Sequence, residues 1–107
     1  MLTNNQSKKG GLALYIKNRI PSIVKSEQTF IRNGIETIFA DLTTPSDTIT
    51  VGLVHKRSVD INTEHLSIAL KEIISSLDPN INTYIIGDFN INLLDYSTSQ
   101  PIEIFSI

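Results

Sequence analysis

Asp88 and Asn90 are the two side chains whose types and spacing best suit chemistry on a phosphate ester. They end the run Tyr84-Ile85-Ile86-Gly87-Asp88-Phe89-Asn90, in which β-branched apolar residues lead into a glycine, a carboxylate and an amide. Side chains alternate along a strand, so Asp88 and Asn90 point to the same side if the strand reaches them. In open α/β sheets ligands gather beyond the carboxyl ends of strands, and Gly87 permits close backbone approach there. The acid can take a proton from an attacking water or orient it. The amide can donate a hydrogen bond as charge builds on a phosphoryl oxygen. Gly, Asp and Asn also build ordinary turns, and from these residues alone the turn reading stands level with the functional one.

A strand must carry this pair, and the rest of the chain supplies alternating strand and helix signals. Gly11 to Asn18 reads as a strand ending before Pro21. Ile35 to Leu42 and Thr48 to Val54 are β-rich, and Thr43-Thr44-Pro45-Ser46-Asp47 between them is turn chemistry, which predicts an antiparallel hairpin. A helix is expected from Asn62 or Thr63, either of which can cap it, with Glu64 in the first turn. Leu66, Ala69, Leu70, Ile73, Ile74 and Leu77 form its apolar stripe, and Asp78-Pro79-Asn80 stops it. The strand Thr83 to Phe89 follows, so strand, helix and strand predict a crossover onto one sheet. Ile102 to Ile107 is apolar, ends abruptly and has no obvious partner.

The 107 residues fit one small domain or part of one. A net charge of −2 neither demands nor excludes a nucleic-acid partner. Without cysteine there is no disulfide, thiolate zinc site or cysteine nucleophile. No apolar stretch is long enough to span a bilayer, and the polar start from Met1 to Gly10 lacks the apolar core of a secretory signal. An intracellular protein with no membrane partner is the expectation.

Three stretches resemble one family. Gly10-Gly11-Leu12-Ala13-Leu14-Tyr15-Ile16-Lys17 is similar to a "GGVAIYVK" strand. Ile35 to Leu42 followed by Ile49 to Val54 is similar to a central hairpin, and Ile86-Gly87-Asp88-Phe89-Asn90-Ile91-Asn92 to a "GDFN-x-N" motif. In all three the chain resembles the endonuclease/exonuclease/phosphatase superfamily, in the form found as the apurinic-endonuclease-like domain of non-LTR (LINE-type) retrotransposons. Order and spacing agree from about Lys9 to Leu94.

The resemblance implies a two-sheet α/β sandwich, deoxyribonuclease I-like, with a mixed, mostly antiparallel sheet and one amphipathic helix. It implies magnesium-dependent hydrolysis of DNA phosphodiesters, a nuclear setting if the chain is part of a retrotransposon protein and a cytoplasmic one otherwise, and a reverse-transcriptase region in a longer protein. Asp88 would activate or orient water, Asn90 would hold the phosphate or that acid, and Gly87 would be the close-approach position. A tyrosine-arginine-proline-proline stretch of relatives is replaced by His55-Lys56-Arg57-Ser58, so His55 stands where a phosphate-contacting tyrosine is expected. Lys56 and Arg57 follow a strand end and are expected near Asp88 as phosphate contacts.

Similar domains also carry an asparagine and a metal-binding glutamate before the position of Gly10, and an aspartate and histidine beyond that of Ile107. Residues 1–107 therefore read as a single partial domain, with no metal ligand assigned, weak or absent activity and a tendency to self-associate. Two alternatives stay open: a non-catalytic α/β module binding nucleic acid or protein, and a phosphatase of the same superfamily. Among the other acids, Glu36 falls inside a strand and Glu64 near a helix start, and neither is expected to converge on Asp88. Asp95 reads as a solvated loop acid, and His65 as a helix-surface residue.

Overall fold

The computed structural model describes residues 2–4, 11–56, 63–88 and 102–106. Its elements are the short strands β1 (Leu2–Asn4), β2 (Leu12–Leu14) and β3 (Ser22–Val24), a 3₁₀ turn at Ser26–Gln28, and β4 (Ile31–Arg32). Two long strands follow, β5 (Ile35–Thr43) and β6 (Thr48–Lys56), then helix α1 (Thr63–Ser76), β7 (Asn82–Asp88) and β8 (Ile102–Ser106). The result is an α/β fold with one mixed sheet ordered β3-β5-β6-β7-β8, β4 also pairing with β5. A separate ribbon of β1 and β2 packs against β5 and β6.

The predicted hairpin forms in full, with Thr43 opposite Thr48 and Ile35 opposite Lys56. Its turn is held by Thr44: the amide donates to the Asp47 carbonyl at 2.7 Å, and Oγ1 accepts from the Asp47 amide at 3.0 Å. This is the side-chain turn chemistry that Ser, Thr and Asp provide. The strand–helix–strand reading also holds, because β7 runs parallel to β6 in the same sheet. Helix α1 begins at Thr63; Asn62, the other proposed cap, lies outside the described residues. At its far end the Asn80 amide donates to Asp78 Oδ1 at 2.9 Å, and the chain turns into β7.

The helix stripe does what its spacing implies. Leu66, Leu70, Ile73 and Leu77 are buried against Ile35, Phe39, Val54 and Ile85. Burying each of these side chains contributes about 1.5–3 kcal/mol. Ala69 and Ile74 are partly buried beside them. The registers Phe39–Gly52 and Gly52–Ile85 explain a glycine in a central strand: a Cβ at position 52 would overlap the Phe39 ring. The ring fills the space that the glycine leaves, so aromatic and glycine form one packing unit.

Three local expectations differ from the structure. The Gly11 to Asn18 run yields only Leu12–Leu14 as strand, because the chain then turns and the Ile20 amide donates to the Lys17 carbonyl at 2.9 Å. Residues 22–32, unassigned from sequence, lie along the edge of β5 as β3 and β4. Their link into β5 is the two-residue turn Asn33-Gly34, with φ of 51° and 76°, the left-handed pair a tight hairpin requires. Thr37 ties this edge down, donating from Oγ1 to the Gln28 carbonyl at 2.6 Å while accepting from the Phe30 amide at 3.1 Å. Finally, Ile102–Ser106 has a partner after all: it pairs in parallel with β7, where Ile102 and Ile104 reach the helix-side core.

Candidate functional site at the strand ends

The sheet register assembles a row of three ionisable side chains. Glu36 on β5 pairs with His55 on β6, and His55 pairs with Asp88 on β7. Residues paired across neighbouring strands project from the same face. Glu36, His55 and Asp88 therefore share one face, the one opposite α1, at the carboxyl ends of the parallel strands β6 and β7. Asp88 is the last residue of β7 and is exposed. Glu36 is only 2% exposed. His55 is half-buried between them, and its Nδ1 is buried with no hydrogen-bond partner among the described residues. One row further in, Ile38, Leu53 and Ile86 are apolar, so the polar row has a hydrophobic floor.

The proposed residues divide as strand alternation demands. Asp88 and His55 come together. Gly87 and Lys56 are each one residue away and belong to the helix-facing side, where Gly87 pairs with Val54 and Lys56 with Ile35. Lys56 thus reaches the same end of the sheet as Asp88 but from the opposite face. Asn90 and Arg57 lie outside the described residues.

Glu36 is the member that sequence reasoning passed over. It was expected not to converge on Asp88, yet it occupies the same row, two strands away. Half of that placement follows once the closing pair of the hairpin is known. With Thr43 opposite Thr48, stepping seven residues back along β5 and seven forward along β6 pairs Glu36 with His55. The other half does not, because no turn fixes the register of β7 against β6 when a helix intervenes.

Magnesium, the cofactor implied by the family resemblance, is a hard cation that takes oxygen ligands in near-octahedral geometry. The row offers it one exposed carboxylate, one imidazole and one buried carboxylate. Among the described residues no group of three or more His, Asp or Glu side chains is arranged to hold a metal ion. These residues do not fit magnesium. Comparison with family models, curated proteins and solved structures found no match.

A second polar region lies away from this row. Between the β4 edge and α1 is a hollow of about 170 Å³, lined in part by Glu27, Phe30, Arg32 and Glu72. Arg32 stacks 3.8 Å from the Phe30 ring centroid and pairs with Glu72 at 3.7 Å, so its charge is already engaged. None of the described helices is long and apolar enough to cross a membrane.

Proposed function

We propose that the Glu36–His55–Asp88 end of the sheet engages a phosphodiester of DNA, in a domain of the retrotransposon-endonuclease type. The observation that carries this reading is the pairing of His55 with Asp88 on adjacent parallel strands, at their carboxyl ends. That position is where open α/β sheets collect ligands, and it puts a hydrogen-bond donor beside a proton acceptor. In this reading His55 donates to a phosphoryl oxygen, in place of the tyrosine expected by resemblance. Asp88 orients an attacking water or takes its proton, and Asn90 adds an amide donor. The β1–β2 ribbon against β5 and β6 supports a two-sheet sandwich as the architecture.

Hydrolysis in the resembled family depends on magnesium, which would polarise the phosphoryl oxygens and offset developing charge. Because the described residues do not supply its site, DNA binding is expected to be stronger evidence than turnover. The test is nicking of supercoiled plasmid and binding of a labelled duplex by the wild-type chain and Asp88→Ala, with and without magnesium. Magnesium-dependent nicking that Asp88→Ala abolishes supports the reading. Nicking that survives the substitution, or duplex binding by Asp88→Ala and by a His55→Ala chain that equals wild type, rejects the site.

A further inference from the structure

The 3₁₀ turn at Ser26–Gln28, strand β4 and the last turn of α1 border the hollow of about 170 Å³. Its floor is buried, with Gln28 5% and Ile73 2% exposed. Gln28 Nε2 donates to Ser76 Oγ at 3.0 Å, and Ser76 Oγ donates to the Ile73 carbonyl at 2.8 Å. These bonds fasten the turn to the helix, so the hollow is built before any guest arrives. A cavity of about 150 Å³ holds one benzene. The hollow therefore suits a single group of side-chain size, not a nucleotide.

Three features set the charge of that group. Glu27 and Glu72 face one cation, Arg32, which pairs with Glu72; among the described residues Glu27 makes no ion pair. The last turn of α1 carries no basic residue, so the negative end of its dipole is left uncompensated beside the hollow. The Phe30 ring offers a π face, on which the Arg32 guanidinium sits 3.8 Å from the centroid. That contact is exchangeable, because the Arg32 and Glu72 side chains are more than half exposed and water screens their pairing.

We infer that the hollow is a guanidinium-binding site and that Arg32 is its internal competitor. A guanidinium stacks on an aromatic face and meets carboxylates in its own plane, whereas an ammonium is compact and more strongly hydrated. A guest guanidinium displaces Arg32 from Phe30 into solvent and lies within reach of Glu72 and Glu27. The same chemistry is carried by a free arginine derivative and by an arginine side chain of a partner protein. The site borders α1, whereas Glu36, His55 and Asp88 occupy the opposite face of the sheet, and it does not depend on the DNA reading.

The test is titration of the ¹⁵N-labelled chain with N-acetyl-arginine amide, followed by backbone amide NMR, with the citrulline counterpart as uncharged isostere. Saturable shifts at residues 27–32 and 72–76 are expected with the arginine amide and none with citrulline. Arg32→Ala, at an exposed position, empties the seat and is expected to tighten binding by about two- to fivefold; Glu27→Gln is expected to weaken it by a similar factor. No shift at these residues, equal shifts with citrulline, or an Arg32→Ala chain that binds no tighter than wild type overturns the inference. A tripeptide with arginine between glycines separates the two sources, and both of its outcomes uphold the site. Tighter binding than the amide assigns a side chain of a partner protein, and equal binding assigns a small free cation.

Discussion

The two faces of the central sheet are built from the same strands and behave oppositely. On the face toward α1, Phe39, Val54 and Ile85 meet Leu66, Leu70 and Ile73 in a sealed apolar core. On the other face the same strands present Glu36, His55 and Asp88 at their ends, with Ile38 buried, Leu53 half-buried and Ile86 36% exposed. Burial on this second face therefore falls from β5 toward β7. The difference teaches that period-two alternation separates duties: one set of positions supplies cohesion, and the other is left able to hold charge near solvent.

Truncations on the sealed face should have the largest effect. Phe39→Ala is expected to lower unfolding free energy by about 3–5 kcal/mol in urea titrations, against about 1–2 kcal/mol for Leu53→Ala on the other face. Equal losses would break the contrast. Gly52→Ala should destabilise by about 1–3 kcal/mol, because the new methyl meets the Phe39 ring. A Phe39→Leu background should relieve much of that cost, and independent effects of the two substitutions would show that they do not pack as one unit. Thr37→Val removes the hydroxyl that serves both the Gln28 carbonyl and the Phe30 amide, and should cost about 1–3 kcal/mol in the same titrations.

Smaller effects are expected where solvent reaches. Arg32→Ala breaks an ion pair whose side chains are 56% and 62% exposed, so thermal unfolding should register less than about 1 kcal/mol. Asp88→Ala, at an exposed strand end, should alter stability by no more than about 0.5 kcal/mol while reducing any magnesium-dependent nicking. A large stability loss at Asp88 would assign it to the scaffold and erase the distinction between the faces.

Much of the fold was legible because its signals are local. The Thr43–Asp47 turn, the stripe from Leu66 to Leu77 and the stop at Asp78-Pro79-Asn80 each act through neighbours in sequence. Asn33-Gly34 carried an equally local hairpin signature, but the strand before it has only two residues, too short to show alternation. Ile102–Ser106 could not be assigned a neighbour, since parallel pairing leaves no mark near either strand. The candidate site was half legible: Asp88 and His55 drew attention by type, whereas Glu36 looked like a misplaced charge inside a strand.

Residue order alone indicated which segments extend, which one coils, and that an antiparallel hairpin joins Ile35–Leu42 to Thr48–Val54; the register that places Glu36 opposite His55 came with the folded hairpin. Only the tertiary structure decided that Asp88 joins them. No turn fixes the offset of β7 on β6; it accompanies the burial of Val54 and Ile85 with Leu66, Leu70 and Ile73, a long-range balance that no short run of residues encodes.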